Sequence, residues 1–319
     1  MILAGDIGGT STRLGLFERH GANVREVAGE RYLSREYPGL LPIVREFRFA
    51  HAGPVDRATF GIAGPIRDGR VVTPNLPWVI EGAALAAELS LPRVTLLNDL
   101  EANAWGVATL AESDSIVLAA GAPAKAGNAA IIAAGTGLGE AGLFGDGAAL
   151  RPFATEGGHA DFAPHDELTI ELYRWLRSKH DHVSWERVVS GPGLVSIFTF
   201  LGEMRGSKAT PAPADAAAIS QAALDGSDEL AVSALDLFVT LYGAEAGNLA
   251  LKMSATRGLW VGGGIAPKIL PRLKQPGFLE AFCDKGRFRA FLERIPVRVI
   301  LNENAALRGA AWHALSSKV

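Results

Sequence analysis

Cysteine is almost absent from this chain: Cys283 is the only one in 319 residues. A lone thiol forms no intramolecular disulfide and offers no cysteine cluster to a metal, a usage typical of a reducing compartment, so the cytoplasm is the expected location. A marked charge of either sign is also missing. Lys and Arg number 31 against 34 Asp and Glu, a net charge of −3. The basic residues are scattered rather than gathered into a run that could follow a phosphate backbone, so no nucleic acid partner is expected. Asp6 follows only a few apolar residues with no basic segment before them, so no signal peptide is expected. No stretch reads as long and apolar enough to span a bilayer, so no membrane partner is expected. Neither the Walker pattern nor the dinucleotide fingerprint occurs, so any phosphate site is of another kind.

What is present is an ordinary globular composition, 48% hydrophobic over 319 residues, enough for about two domains with a core each. The most informative stretch is Val94-Thr95-Leu96-Leu97-Asn98-Asp99, an apolar run of β-formers ending in two polar side chains. Leu100-Glu101-Ala102-Asn103-Ala104-Trp105 then has helix-forming composition. Asp99 is thereby expected in the crevice beyond a strand's carboxyl end, where open α/β sheets bind ligands, a placement that suits a general base. Asx before a helix is equally at home as an N-cap, and this stretch alone leaves both readings open.

Three apolar strands run into glycine bends. Strands at 2–4 and 13–17 flank Gly5-Asp6-Ile7-Gly8-Gly9-Thr10, those at 129–134 and 141–144 flank Gly135-Thr136-Gly137-Leu138-Gly139, and one at 259–261 enters Gly262-Gly263-Gly264-Ile265. Glycine lets backbone N–H groups approach phosphate oxygens, and Thr10 and Thr136 add hydroxyls, so a nucleotide is a candidate ligand. Each bend alone is also ordinary hairpin chemistry. Asp6 adds a carboxylate, the usual partner of Mg²⁺ near phosphates, often through water. Further strands are expected at 24–33, 59–63, 71–72, 94–99, 116–119 and 297–301. Helices are expected at 40–50, 81–89, 167–177, 194–204, 214–224, 229–251 and 305–315, the chain turning helical after residue 151, with a linker-like stretch at 206–213.

Glu156-Gly157-Gly158-His159 sets two polar side chains around two glycines, able to fork onto one small ligand or to form a plain turn with a solvated Glu and a structural His. Zinc is disfavoured there because no cysteine cluster completes four donors. Glu186 on its own reads as a surface residue.

Taken together and in order, these motifs resemble the bacterial glucokinase family, in its ATP-dependent group without the zinc-binding cysteines of the repressor-like sugar kinases. The match spans nearly the whole chain and adds Ser190-Gly191-Pro192-Gly193 and Asp284-Lys285-Gly286-Arg287-Phe288. Thr73-Pro74-Asn75-Leu76-Pro77-Trp78 and Glu140 depart from the pattern, the first at the sugar-facing rim. The resemblance implies a two-domain actin-like, hexokinase-like ATPase fold, each domain built on a ribonuclease-H-like mixed sheet, divided as 1–110 with 301–319 and 111–300. It implies phosphorylation of D-glucose at its 6-hydroxyl by ATP and Mg²⁺, and a homodimer. Asp99 is then the catalytic base, with Asn98, Asp99, Glu156, His159 and Glu186 reading the sugar hydroxyls. Asp6, Gly8, Gly9, Thr10, Gly135, Thr136, Gly137, Gly263 and Gly264 are the nucleotide side, and no fixed protein metal site is expected. Another hexose or an N-acetylhexosamine as acceptor, or a non-kinase ATPase of the same fold, are the alternatives; a DNA-binding repressor finds no room before the first strand.

Overall fold

The structure, a computed structural model, describes residues 1–21, 23–122, 124–147, 149–206 and 215–317. The chain divides into two compact units, one comprising Met1–Asp114, Arg151–Ala154 and Asn302–Val319, the other Ser115–Leu150 and Thr155–Leu301.

In the first unit, β1 (Ile2–Ile7), β2 (Ser11–His20) and β3 (Asn23–Leu33) form an antiparallel meander, and β4 joins β1 in parallel after α1 (Leu40–Ala50). α1 places Leu40, Ile43, Val44 and Phe47 on one face, the spacing of an amphipathic helix, and packs them on the sheet with Leu3, Phe60 and Ile62. β4 (Arg57–Ile62) is followed by a two-stranded ribbon of β5 (Arg70–Val72) and β6 (Val79–Glu81), then α2 (Gly82–Leu89), β7 (Val94–Asn98) and α3 (Asp99–Val107). The sheet order is β3-β2-β1-β4-β7, with β7 parallel to β4.

The second unit opens with β8 (Ser115–Ala119), β9 (Ala129–Ala134) and β10 (Leu138–Asp146); β11 (Ala149–Ala154) follows, its residues 151–154 belonging to the first unit. Helices α4 (Glu167–Arg177), α5 (Gly191–Met204), α6 (Ala216–Asp225) and α7 (Glu229–Met253) follow, then β12 (Gly258–Gly262), the short α8 (Leu270–Leu273), α9 (Pro276–Cys283) and α10 (Arg289–Leu292), and β13 (Val297–Ile300). Its sheet runs β11-β10-β9-β12-β13-β8, with β10 antiparallel to β9 and both β12 and β13 parallel to it in turn. An antiparallel lead-in followed by two parallel strands thus occurs in both units, the mixed topology the resemblance implied.

Two expectations need correction. Residues 151–154 end strand β11 rather than starting the helical part. α7, at 25 residues, is long and apolar enough by composition to cross a membrane, contrary to the reading that no segment was. Its apolar window is 67% buried inside the protein, and Leu235, Phe238, Tyr242 and Leu249 belong to the unit's core. The linker-like 206–213 lies, from 207 on, outside the described residues.

Last, α11 (Ala305–Ser316) returns to the first unit and covers the second face of its sheet, where Leu307, Ala310, Ala311 and Ala314 meet Ile2, Ala4, Phe17 and Val24. It crosses α3 at close range. A Cβ on Gly309 would collide with the carbonyl of Ala102, and one on Gly106 with that of Ala305, so both positions demand glycine.

Candidate active site

In the first unit β1 runs through Ile7, so Asp6 is a strand residue rather than part of the bend; it pairs in register with Arg13 on β2 and Gly61 on β4. Gly61 has no side chain to separate the strand from α3: its missing Cβ would lie 2.6 Å from Ala102 and 3.9 Å from the Asp99 Cα. Asp6 and Asp99 therefore feel one another. Burial first, and then the Asp99 carboxylate, push the Asp6 carboxyl up to about 6, against the opposing pull of Arg13. Arg13 itself donates to Glu303 at 3.0 Å.

The N-cap question at 98–99 resolves in favour of Asn98. Its Oδ1 accepts the Leu100 amide at 2.9 Å and its Nδ2 donates to Gly64 O at 3.4 Å. Asp99 is the first helical residue, and its Oδ1 shares the same Leu100 amide at 2.9 Å. The carboxylate thus sits at the positive end of α3, beyond the carboxyl end of β7. The neighbouring bend is closed by Gly8 N donating to Ser11 O at 3.0 Å and by Ser34 Oγ donating to Gly8 O at 2.8 Å. The divergent passage 73–78 packs directly on this bend, since a Cβ on Gly9 would come within 2.8 Å of Asn75 Cβ. The Asp6 carboxylate near such a bend suits Mg²⁺ carried on phosphates, an ion that keeps several waters and takes one or two carboxylates. Among the described residues no group of three or more His, Cys, Asp or Glu gathers to hold a metal by protein donors alone.

In the second unit the segment 135–140 is a platform. Gly191 N donates to Gly135 O at 2.8 Å, anchoring the bend to the start of α5. Leu138 N donates to Glu186 Oε2 at 2.9 Å, and Ser190, the N-cap of α5, donates its hydroxyl to Glu186 O at 2.7 Å. Glu186 is therefore a half-buried, fixed side chain, not the free surface residue its isolated sequence suggests. The 3-10 turn Gly157–His159 lies flat on β10: a Cβ on Gly157 would hit the Glu140 carboxylate, and one on Gly158 the Leu138 carbonyl. Thr155 Oγ1 donates to Glu140 O at 2.9 Å and accepts Gly157 N at 3.2 Å. Glu156 precedes this turn and His159 ends it, both exposed.

His159 and Glu186 line one concavity of about 400 Å³ together with Lys179, His180, His182 and Arg187. His182 was missed in the sequence, although it lies four residues before Glu186; its ring Nε2 is 3.0 Å from the His159 carbonyl oxygen. The glycines divide by surroundings. Gly9 and Gly263 (φ +82°) are crowded, the latter because a Cβ would strike Ala134 O; a Cβ on Gly137 would meet the end of the Glu186 side chain, and Gly135 and Gly264 face open space. Tyr242 stands behind two of the bends: its hydroxyl accepts Ala134 N at 3.1 Å and lies 3.3 Å from Gly262 O.

The family model described as Glucokinase matches residues 3–317. The glucokinase of Nostoc sp. is 42% identical, covering 98% of this chain and 98% of its own. Among solved structures, a glucokinase from an Antarctic psychrotroph superposes with a TM-score of 0.89 at 32% identity, covering 99% of each chain. A glucokinase of the ROK family from Streptomyces griseus, solved with glucose and AMPPNP, shares the fold with a TM-score of 0.68 at 22% identity, covering 99% of each chain. The architecture is the actin-like ATPase fold of the hexokinase-like sugar kinases. With an aspartate at the head of α3, a glutamate pinned to a glycine bend, and a family match over almost its whole length, the chain belongs to the glucokinase family.

Proposed function

We propose that this chain transfers the γ-phosphoryl group of ATP to the 6-hydroxyl of D-glucose with Asp99 as the base, the activity its family membership carries. The observation that supports the role is the division of labour at 98–99: Asn98 takes the cap of α3 and Asp99 holds a carboxylate at the strand's end. In the loose transition state of phosphoryl transfer the attacking hydroxyl needs little prior deprotonation, so Asp99 orients it and accepts its proton late. Glu156, His159 and Glu186 hold the sugar by its hydroxyls, Glu186 with a carboxylate whose position the Leu138 amide fixes. The bends with Asp6, Gly8, Gly9, Thr10, Gly135, Thr136, Gly137, Gly263 and Gly264 serve the nucleotide. Asp6 is the residue that would hold Mg²⁺ carried on the nucleotide, which when bound would neutralise phosphate charge. A cytoplasmic homodimer completes the reading.

The test is a coupled assay of ADP release with and without glucose, extended to galactose, mannose, 2-deoxyglucose and N-acetylglucosamine. Each polar contact left without its partner costs about 1–3 kcal/mol, so an inverted or missing hydroxyl is expected to lose roughly ten- to over a hundredfold in kcat/KM. Galactose or N-acetylglucosamine preferred over glucose would reject the glucose assignment.

A further inference from the structure

We propose that Glu140 and Glu245 form a buried pair holding one proton between them, and that Glu140 is thereby a positioning residue supporting the Glu156–His159 turn from beneath. The inference rests on the sugar-reading role proposed for that turn.

Both side chains are sealed, Glu140 at 1% exposure on β10 and Glu245 at 0% on α7. Glu140 fills the place a side chain on Gly157 would need, so the turn rests on its carboxyl group. Glu245 is well served: Lys252 Nζ lies 3.2 Å from Oε1 and Asn248 Nδ2 donates to Oε2 at 2.8 Å. Glu140 is not. It lies within the field of the Glu245 carboxylate, and its Oε1 finds no partner among the described residues. An ionised Glu140 would set a bare buried oxygen beside a like charge, whereas a proton on it makes the carboxyl a donor to Glu245.

The charged groups facing the pair are Lys252 on the same helix as Glu245 and Lys285 from the segment after α9. The Tyr242 hydroxyl, on α7, also lies within the field of Glu140. Lys285 reaches α7 because position 247 is glycine: a Cβ there would stand 3.0 Å from Lys285 Cε. This gives Asp284-Lys285-Gly286-Arg287-Phe288, which the transfer chemistry leaves unused, a place in the molecule. Burial, and next the charge of Glu245, hold the Glu140 carboxyl up to about 8. Above that pH the pair carries two charges and the turn loses its support. For stability the sign is that of a raised carboxyl: the contribution is complete below the ordinary 4.5 and is lost as pH rises through about 8.

The experiment compares the parent with Glu140→Gln, Glu140→Ala and Glu156→Ala, measuring KM for glucose and for ATP from about pH 6 to 9.5, and Tm from about pH 5 to 9. Glu140→Gln is expected to keep the glucose KM at neutral pH and to lack the parent's rise above about pH 8. Glu140→Ala is expected to raise the glucose KM about tenfold or more with the ATP KM little changed, the loss of one or two aligned hydrogen bonds. An unchanged glucose KM in folded Glu140→Ala, or the same alkaline rise in Glu140→Gln as in the parent, overturns the proposal; if Glu140→Ala does not fold, the Gln profile decides. Should Glu156→Ala leave the glucose KM unaltered, the sugar-reading role of the turn fails instead. The pair is then read by Tm alone: a smaller loss between about pH 5 and 8 in Glu140→Gln than in the parent supports it, and equal losses reject it.

Discussion

Gly137 and Glu186 compete for one space: a Cβ on Gly137 would collide with Glu186 Oε2, the oxygen that accepts the Leu138 amide at 2.9 Å. A bend expected to serve the nucleotide alone is thus also the seat of a candidate sugar-reading carboxylate. Gly137→Ala is expected to displace Glu186 and raise the glucose KM about tenfold or more, with any effect on ATP accompanying it rather than standing alone. Steady-state kinetics in both substrates check this; a change confined to ATP would separate the two residues functionally.

Asp99→Asn keeps the size of the side chain and an oxygen for the Leu100 amide, but cannot take a proton. Turnover is expected to fall about 100- to 10,000-fold while glucose binding, followed by calorimetry, stays within a few-fold. Undiminished single-turnover rates would remove Asp99 from the chemistry.

His313 is held neutral inside the first unit. Its Nδ1 lies 3.3 Å from Thr59 Oγ1, its Nε2 3.1 Å from Ser317 Oγ, and its ring meets Trp105 edge-on at 5.1 Å. Burial, and then Arg93, pull its imidazolium pKa down to about 4. A depressed folded value means the stability it contributes is present above the ordinary 6.5 and is lost as pH falls through about 4. His313→Gln, which cannot charge, is expected to flatten the decline of Tm between about pH 6.5 and 4. An unchanged decline would place acid sensitivity elsewhere.

Gly309→Ala forces α11 away from the Ala102 carbonyl. Overpacking of this kind costs about 1–3 kcal/mol, read as a lower urea midpoint. Gly226→Ala, at a helix end with open space around it, serves as the comparison for strain without crowding.

The parts legible in the sequence are those where pattern and chemistry coincide. The Val94–Asn98 strand announces itself by an apolar run with a polar end, and α4 by its spacing. β11 was missed because its Arg151, Pro152 and exposed Phe153 lack the alternation of a half-buried strand. α8 and α10 were missed because four residues are too few to show a helical period. Glu140 was passed over as a departure from pattern, since only the turn at Gly157 resting on its carboxyl group shows why that side chain lies inside. Glu186 was discounted alone for the same reason: its fixing bond comes from Leu138, distant in sequence.

The crossing of α3 and α11 also bears on how the protein is made. During synthesis Ile2, Ala4, Phe17 and Val24 leave the ribosome long before residues 305–316 exist to cover them, the whole second unit being translated in between. The nascent first unit therefore carries an uncovered apolar face, and the helix headed by Asp99 lacks its partner. α11 emerges after β13, so this face of the first unit is closed last, after the strands and helices of the second unit have been made.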